Sequence, residues 1–423
     1  MGLSRSVESV ADAAARVAGA DSVRVASDQD AFDLVKPLVI VSPRDAGSAG
    51  AVLEWASRDR VPLVIRGAGT KLTWGPLARP ADVILSTTRL NAVVEHRHGD
   101  LTATVQAGAT LAQVNRELNA HRQWIPLDPS NEEGTIGGIL ATNDSGPRRH
   151  RYGAPRDLII GITVVRTDGR LARAGGIVVK NVAGYDMARL MTGSCGTLAL
   201  IVDATFKLAP VPPVSRSVVI TTPSAALLDH ILTSITSSQT MPTAVELEIP
   251  PGRLLVRFET VERAAEQQSR EIAERASARG AKSDVVFGGE ESALWQAHAA
   301  RPWSKGGCVV KISLLPSKIP TLVEWLHGAA ARLDWEIVGR AGVGVLLLRL
   351  DDRDDDQERL VAQLRARFKP GEGHASVLRG SVALKSRLEA SSPVGDALAL
   401  MQIIKRQFDP VGILNPGRGP GGL

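Results

Sequence analysis

The sequence predicts an α+β protein with two domains, and three features of the chain carry that prediction. The chain has 423 residues, which is more than one hydrophobic core usually accommodates. Its first half alternates short apolar strands with helical patterns, as α/β units with parallel pairing do. Its second half follows a strand–helix–strand–strand–helix–strand order, which favours an antiparallel sheet covered by helices. The proline-rich segment Ala209 to Pro213 separates the two halves.

The first half begins with a strand–helix–strand unit that leads into a glycine-rich loop. We expect a strand at Pro37 to Val41, a helix at Ala46 to Arg58 and a strand at Val61 to Arg66. The remaining predicted elements are strands at Ala92 to His96 and Leu101 to Ala107, a helix capped by Thr110, a hairpin from Leu158 to Ala174 that turns at Thr167-Asp168-Gly169, and a strand at Leu198 to Leu208.

The second half has a hairpin pattern around Pro250-Pro251-Gly252, followed by alternating helices and strands. The predicted elements are strands at Val245 to Ile249, Leu254 to Phe258, Asp284 to Phe287, Cys308 to Leu314, Trp335 to Val338 and Val343 to Leu350, with helices at Val261 to Ala278, Ile319 to Arg332 and Gln357 to Phe368. The acidic run Asp351 to Asp356 is interpreted as a solvated loop.

Bulk composition argues against several functional classes. The formal net charge is +5 with scattered basic residues, and aromatic residues make up 4% of the chain, so nucleic-acid binding is not expected. The two cysteines, Cys195 and Cys308, cannot supply an iron–sulfur cluster or a disulfide framework, and no metal site is predicted. The first twenty residues lack the apolar core of a signal peptide, and no apolar run reaches the ~18 residues of a membrane span. A cytoplasmic location is therefore expected.

A glycine-rich loop follows the predicted strand at Val61 to Arg66. Glycines permit positive φ angles and let backbone N–H groups converge on an anion. The spacing fits neither a P-loop nor a Rossmann fingerprint, and a plain turn is the alternative interpretation. The candidate phosphate-binding residues are Arg66, Gly67, Ala68, Gly69, Thr70, Lys71, Leu72 and Thr73.

A second segment is rich in small residues and hydroxyls, as expected of a surface that a large ligand approaches closely. Its hydroxyl and amide side chains can hydrogen-bond ribityl, phosphate or ring atoms. The alternative is an irregular, solvated loop in which Thr135 caps a helix. The candidate cofactor-binding residues here are Asp128, Pro129, Ser130, Thr135, Gly137, Gly138, Thr142, Asn143, Ser145 and Gly146.

Two further segments contain the only tyrosines of the chain. Tyr152 and Gly153, which are further candidate cofactor-binding residues, follow the second segment, and Tyr185 lies in Lys180 to Asp186, which reads KNVAGYD. The turn Gly193 to Leu198 reads GSCGTL. Core packing would explain either tyrosine alone.

In this order and spacing, the segments resemble the FAD-binding domain of the vanillyl-alcohol oxidase and p-cresol methylhydroxylase (VAO/PCMH) superfamily. The resemblance covers Val35 to Pro213 and a C-terminal piece, and it implies a VAO/PCMH-type FAD-binding domain of two α/β subdomains. It also implies that Arg66 to Thr73 holds the pyrophosphate and that Asp128 to Gly134 and Thr142 to Ser145 line the flavin. On the adenosine side it implies Gly196, Ile201 and Val202, and in the C-terminal tail Asn415. Flavin-linked members have a histidine in the first loop; this loop has neither His nor Cys, which implies noncovalent FAD.

The domain organisation that the resemblance implies has three parts. They are an FAD-binding domain at 1–213, an α+β cap domain at 214–380, and a C-terminal helix and tail at 381–423 that packs back on the FAD domain.

Within the superfamily, the chain is similar to the FAD-binding E subunits of bacterial glycolate oxidases. The similarity rests on Lys180 to Asp186, Gly193 to Leu198, Gly373-His374-Ala375 and the tail around Phe408-Asp409-Pro410 and Asn415 to Arg418. It implies oxidation of glycolate, a small 2-hydroxy acid, in a complex with a catalytic flavoprotein subunit and an iron–sulfur subunit. Those partners would also be the route to any peripheral association with a membrane.

The catalytic groups are not assigned by the sequence. Catalytic relatives carry a late His-x-Gly-Asp-Gly-Asn-x-His string, and this chain lacks it. His374, Arg379 and Arg418 are candidates, with structural packing and surface pairing as the alternatives. Three hypotheses therefore stay open: a subunit of a glycolate dehydrogenase complex, a self-sufficient FAD oxidase or dehydrogenase of another hydroxy acid or alcohol, and a non-catalytic scaffold.

Overall fold

The computed structural model of the chain describes residues 5–177, 186–351, 353–369, 371–388 and 394–423. The motif residues 180–185 lie outside the described residues. The helices are α1 (Val7–Ala18), α2 (Ala46–Arg58), α3 (Leu111–Leu118), α4 (Ile136–Thr142), α5 (Arg149–Tyr152), α6 (Pro155–Leu158), α7 (Met187–Met191), α8 (Ala225–Thr236), α9 (Glu262–Ser277), α10 (Gly288–Ala300), α11 (Ile319–Ala329), α12 (Asp354–Ala366), α13 (Val382–Arg387) and α14 (Ala397–Phe408).

The strands form four sheets among the described residues. They are β1 (Val23–Val25), β2 (Val39–Val41), β3 (Leu63–Arg66), β4 (Val83–Ser86), β5 (Val93–Arg97), β6 (Thr102–Gln106), β7 (Gln123–Trp124), β8 (Ile159–Val165), β9 (Leu171–Gly175), β10 (Leu200–Lys207), β11 (Ala209–Pro210), β12 (Val214–Thr221), β13 (Ala244–Ile249), β14 (Arg253–Thr260), β15 (Ser283–Phe287), β16 (Cys308–Leu314), β17 (Asp334–Arg340), β18 (Val345–Asp351) and β19 (Gly373–Arg379).

The chain divides into two compact units. The first consists of Met1–Ser145, Ala154–Val211 and Pro393–Leu423, and the second of Gly146–Gly153 and Pro212–Ser392. This division differs from the one expected from sequence in two places. The short segment Gly146–Gly153 groups with the second unit, and the C-terminal return begins at residue 393 rather than 381.

The first unit contains two larger sheets. Strands β2 and β3 both pair in parallel with β4, and β1 adds an antiparallel edge. Strands β5, β6, β10, β8 and β9 form the second sheet, which is antiparallel throughout. Asp45 is the N-cap residue of helix α2. Its carboxylate accepts a hydrogen bond from the backbone N–H of Ser48 at 2.7 Å, as part of a capping box that fixes the predicted helix start.

The C-terminal tail extends the parallel sheet. Leu63 donates its backbone N–H to the carbonyl of Ile413, and Asn415 donates to the carbonyl of Leu63, both at 2.9 Å. The side chain of Asp409 accepts bonds from the next turn, including one from the backbone N–H of Leu414 at 2.8 Å. The tail therefore lies beside β3, the strand that leads into the glycine-rich loop.

The second unit is built on an eight-stranded antiparallel sheet in the order β15-β12-β14-β13-β17-β18-β16-β19. One face carries apolar residues such as Leu247, Ile337 and Leu348, which pack with helices into the largest hydrophobic core of the described chain. The opposite face carries buried charged side chains, including Glu246 and Arg349. The alternation of apolar and charged residues along each strand produces the two faces.

Most predicted elements occur within a few residues of their predicted ends, and the α+β fold class is confirmed. Helix α2 and strand β16 have the bounds that the sequence predicts. The interpretation of Asp351 to Asp356 as a solvated loop is wrong, because Asp354, Asp355 and Asp356 form the first turn of α12. Carboxylates at that position are stabilised by the free N–H groups of the helix start. The elements that the sequence did not predict include α1, β4, β12, α8, α10 and β19.

Candidate functional site

A cleft in the first unit contains about 760 Å³ of empty space, part of it open solvent. Its walls come from the glycine-rich loop, helix α4, the turn before β10 and the C-terminal tail. The lining residues are Val64, Ile65, Arg66, Gly67, Ala68, Gly69, Thr70, Lys71, Leu72, Thr87, Ala107, Thr135, Gly137, Gly138, Ala141, Thr142, Cys195, Gly196, Ala199, Ile201, Asn415 and Arg418.

The glycine-rich loop presents unused hydrogen-bond donors to this cleft. The backbone N–H groups of residues 67–71 donate to no acceptor in the described part of the chain. Successive free N–H groups in a turn form a concavity that binds anions, phosphates among them. Gly69 has a φ of +78°, which reverses the chain inside the loop and favours glycine. The loop therefore has the donor set that a diphosphate needs.

Helix α4 packs against this loop so closely that two glycines are required. A Cβ atom on Gly67 would lie 2.0 Å from Oγ1 of Thr135, the residue that caps α4. A Cβ atom on Gly137 would lie 2.8 Å from the Cβ of Ala107 on the neighbouring strand end. Thr142 donates its hydroxyl to the carbonyl of Gly138 at 2.7 Å. Small residues thus bring two backbone segments together at one wall of the cleft.

Asn415 joins three segments at the opposite wall. Its side-chain oxygen accepts a hydrogen bond from the backbone N–H of Ile65 at 2.7 Å, and its amide nitrogen donates to the carbonyl of Cys195 at 2.6 Å. A Cβ atom on Gly196 would lie 2.6 Å from that amide nitrogen. One side chain therefore fixes β3, the turn before β10 and the tail relative to each other.

Three cationic side chains line the cleft. The ammonium of Lys71 is buried and lies 3.2 Å from Oδ2 of Asp144, but it makes no hydrogen bond of good geometry among the described residues. Arg66 donates to Asp30 at 3.0 Å. Hydrogen bonds from Arg24 hold the pKa of Asp30 below its usual range, because they outweigh the opposite effect of burial. The hydrogen bond from Arg66 lowers this pKa further. The resulting field favours an anionic ligand.

Arg418 supports the loop from behind. Its guanidinium donates to the backbone carbonyl of Leu72 and to that of Lys71, the latter at 3.0 Å. Burial lowers its pKa from the ordinary value. These contacts hold the loop in place, and a catalytic role of Arg418 stays a prediction.

The structure brings together many residues that the sequence predicts for the cofactor. The predicted residues that line the cleft are Arg66, Gly67, Ala68, Gly69, Thr70, Lys71, Leu72, Thr135, Gly137, Gly138, Thr142, Gly196, Ile201 and Asn415. The predicted residues of the first unit that do not line it are Thr73, Asp128, Pro129, Ser130, Asn143, Ser145 and Val202. Ser130 reaches the cleft only indirectly, since its hydroxyl donates at 2.7 Å to the same Asp144 oxygen that faces Lys71. Gly146, Tyr152 and Gly153 belong to the second unit.

Two of the three catalytic candidates, His374 and Arg379, lie in the second unit. His374 lies on β19 opposite Ser313, and its side chain is exposed. Neighbouring atoms still displace part of the water around its ring, and this desolvation, together with the smaller effect of the charge of Lys311, lowers its pKa. Arg379 donates to backbone carbonyls of residues 302, 303 and 305–307, so its guanidinium closes that loop. A catalytic role of either residue stays a prediction.

Sequence reasoning missed several wall residues. Thr87 and Ala107 lie at the ends of different strands, where no local motif marks them. Cys195 is part of the GSCGTL turn, and its φ of +53° marks an unusual backbone conformation that the sequence does not show. Thr87 lies against Gly108 and Ala107 lies against Gly137, which are contacts that only the folded chain makes visible.

Comparison with known families and proteins agrees with this geometry. Residues 37–175 match the model of the FAD binding domain, and residues 388–418 match the C-terminal domain of FAD linked oxidases. The two matches include the glycine-rich loop and the tail that meet in the cleft. The chain therefore has the FAD-binding and C-terminal domains of FAD-linked oxidoreductases.

Relatives of the flavoprotein over most of its length include two kinds of hydroxy-acid enzyme. It is 28% identical to glycolate oxidase subunit GlcD of Bacillus subtilis, over 90% of this chain and 88% of the relative. It is 29% identical to glycolate oxidase subunit GlcE of Escherichia coli, over 89% of this chain and 98% of the relative. It is 29% identical to D-2-hydroxyglutarate dehydrogenase of Xanthomonas citri, over 90% of this chain and 89% of the relative.

Solved structures share the fold of the flavoprotein. A p-cresol methylhydroxylase with substrate bound aligns with a TM-score of 0.75 at 17% identity, over 99% of this chain and 97% of that one. A 4-ethylphenol oxidase from Gulosibacter chungangensis aligns with a TM-score of 0.77 at 15% identity, over 99% and 98%.

The residues of the cleft fit FAD. Free backbone N–H groups of residues 67–71 and the buried ammonium of Lys71 would hold the diphosphate, and the small residues of α4 leave room for the nucleotide. Among the described residues, none of the helices is both long and apolar enough to span a bilayer.

Proposed function

We propose that the flavoprotein is the FAD-binding subunit of a glycolate oxidase or dehydrogenase complex and takes part in oxidising glycolate to glyoxylate. The cleft with its free donors carries the flavin part of the proposal. The substrate part is supported by relatives of near-equal length that are glycolate oxidase subunits or a 2-hydroxy-acid dehydrogenase. Bound FAD supplies the two-electron acceptor for such an oxidation.

The flavin is proposed to bind without a covalent bond. The loop from Arg66 to Thr73 contains neither histidine nor cysteine, and of the cleft residues only Cys195 has a nucleophilic sulfur. Acid precipitation of the purified protein tests this proposal. All of the yellow colour is expected in the supernatant, whereas colour that stays with the precipitate would contradict noncovalent binding.

An external electron acceptor is part of the proposal. The sequence has two cysteines, too few to hold an iron–sulfur cluster, so electrons would pass to an iron–sulfur partner and a second flavoprotein subunit would share the catalysis. Such a complex would work in the cytoplasm or against the inner face of the membrane through its partners. The stand-alone oxidase of another hydroxy acid or alcohol is the second candidate, and the length of the match to D-2-hydroxyglutarate dehydrogenase favours it.

Anaerobic mixing with substrates tests the function. The isolated chain should hold FAD that glycolate bleaches slowly or not at all, and a tagged chain in its native host should copurify with an iron–sulfur protein. Rapid bleaching by glycolate, D-lactate or D-2-hydroxyglutarate without any partner would instead favour the stand-alone enzyme. A chain that neither bleaches nor copurifies would refute both.

A further inference from the structure

One buried arginine in the second unit has no partner. Arg340, at the end of β17, is 8% exposed, and its side chain makes no hydrogen bond or ion pair with the residues that the structure describes. Its Nε atom is closed off from solvent and unsatisfied. A buried guanidinium without a counterion is costly, so it calls for a ligand.

The neighbours of Arg340 show that this is an exception. On the same face of the sheet, Glu336 pairs with Arg349 at 2.9 Å, and Glu248 pairs with Arg253 at 2.5 Å. These charges satisfy each other inside the unit. The unpaired state of Arg340 is therefore a local feature and does not reflect a general surplus of cations on the face.

An unused acceptor lies directly across from this arginine. Glu246 is the strand partner of Arg340 between β13 and β17, yet no ion pair joins them. The carboxylate of Glu246 turns instead to His298, whose Nε2 lies 2.9 Å from Oε2. Its other oxygen, Oε1, is buried and has no hydrogen-bond partner among the described residues. A cationic donor and an anionic acceptor thus lie on adjacent strands with neither used.

A third unsatisfied atom belongs to His150 on α5, the short helix that packs against β13. Its Nδ1 is buried and makes no hydrogen bond in the described chain. A Cβ atom on Gly342, two residues after Arg340, would lie 2.4 Å from that nitrogen, so glycine is required for the ring to pack there. Three open polar atoms therefore belong to one corner of the second unit.

We propose that Arg340 binds the carboxylate of a 2-hydroxy acid whose hydroxyl group donates to Glu246 or His150. A planar guanidinium matches a carboxylate through paired N–H donors, and Arg340 is the arginine of this face that has its donors free. A carboxylate alone would repel Glu246, whereas a hydroxyl on the adjacent carbon supplies the donor that Oε1 lacks. The ligand identity rests on the proposed function, but anion binding by Arg340 does not.

The test compares Arg340→Met, Arg340→Lys and Arg263→Met, the last an exposed arginine on α9 that serves as a control for loss of charge. Binding of glycolate, D-lactate and D-2-hydroxyglutarate is measured by calorimetry with the holoprotein, its flavin photoreduced so that no turnover occurs. Losing the carboxylate contact should weaken binding about 10- to 100-fold in Arg340→Met and less in Arg340→Lys. Arg263→Met should bind as the unmodified chain does, and acetate should bind more weakly than glycolate.

Stability without ligand separates binding from a structural role. Since Arg340 has no partner to lose, Arg340→Met should melt at the same temperature as the unmodified chain or higher. Equal affinities in the unmodified chain and Arg340→Met, or binding of none of the three acids to the unmodified chain, would overturn the inference. Tight binding that is lost in Arg340→Met would uphold the inference, and it would do so even if the chain neither bleached with glycolate nor copurified with an iron–sulfur protein, the result that refutes the proposed function.

Discussion

At the scale of single residues, close contact between backbones decides which side chains the cleft tolerates. Gly67 has the least room, because any Cβ atom would meet the hydroxyl of Thr135 at 2.0 Å. A Cβ atom on Gly69 would fit, since its nearest neighbours would lie 3.6 Å away. Glycine is favoured at this position because its φ is +78°. The two glycines therefore serve one loop for different physical reasons.

Replacing Gly67 with alanine should weaken FAD binding by about tenfold or more, since the loop or Thr135 must shift. Fluorescence titration of the flavin-free protein measures this change. Gly99→Ala is the matched control, because a Cβ atom there meets nothing within 4 Å. Unchanged affinity in Gly67→Ala would remove the loop from the site.

Replacing Lys71 with methionine should lower both FAD affinity and stability. The ammonium faces the cleft and is the cation nearest Asp144, so the variant leaves a buried carboxylate without its counterion, at about 3 kcal/mol of unfolding free energy. Urea denaturation and FAD titration measure the two effects, with the exposed Lys36→Met as control.

A double variant separates these two roles of Lys71. Adding Asp144→Asn should restore most of the lost stability while FAD binding stays weak. Recovery of both properties together would show that Lys71 acts through folding alone.

At the scale of elements, the C-terminal tail stabilises the cleft, and the polar face of the eight-stranded sheet contributes to the stability of the second unit. Asn415 holds the tail against β3 through two hydrogen bonds and has a φ of +42°. The tail therefore acts as part of the cleft wall although it follows β3 by about 350 residues.

Asn415→Ala should cost about 2–4 kcal/mol of unfolding free energy, because it leaves a backbone N–H and a carbonyl unsatisfied and strains the left-handed backbone. Asn415→Gly loses the same hydrogen bonds without that strain and should cost less. Chemical denaturation compares the two variants. An equal loss in both would show that the backbone conformation contributes nothing.

The polar face predicts a pH dependence of stability. Burial alone would lower the pKa of His298, but hydrogen bonds and charges from Glu246 and Glu248 outweigh it and raise that pKa above 6.5. Burial would raise the pKa of Glu248, but His298 and Arg253 lower it from 4.5 to about 2. His298 therefore stabilises the fold fully below pH 6.5 and loses this effect as the pH rises through its raised pKa, while Glu248 loses its own contribution as the pH falls from 4.5 towards 2.

His298→Gln should accordingly be destabilised most between about pH 5 and 6.5, by roughly 2–4 kcal/mol, with a smaller difference at pH 9. Urea unfolding at several pH values measures the difference, and His230→Gln on the exposed face of α8 is the control. A difference that stays constant or grows above pH 7 would contradict the charged state assigned to His298.

At the scale of the whole molecule, the sequence predicts features within one segment well, and it predicts poorly which residues from separate segments meet in the fold. The loop at Arg66 to Thr73 was predictable because strand, turn and glycines are contiguous. Ala107 and Thr87 were not, since their place in the cleft depends on how strands from separate segments end beside one another. Asn415 was predicted only through family resemblance, and Arg340 not at all, because the lack of a partner has no signature in sequence.

The domain organisation shows the same limit. The proline-rich segment before Val214 is a local signal, and the units of the structure change at Pro212. The assignment of Gly146–Gly153 to the second unit has no local signal, because it depends on packing of α5 against β13. Whether each unit is an independent domain stays a prediction.

We infer that the free backbone N–H groups of residues 67–71 and the ammonium of Lys71 hold the diphosphate of FAD. Titration of the flavin-free protein with FAD and with riboflavin, which has the same ring but no phosphate, tests it most directly. The account predicts that FAD binds and that riboflavin binds at least about 100-fold more weakly, since charge-assisted contacts of about 3 kcal/mol are lost. Riboflavin binding as tightly as FAD, or no binding of FAD, would contradict it.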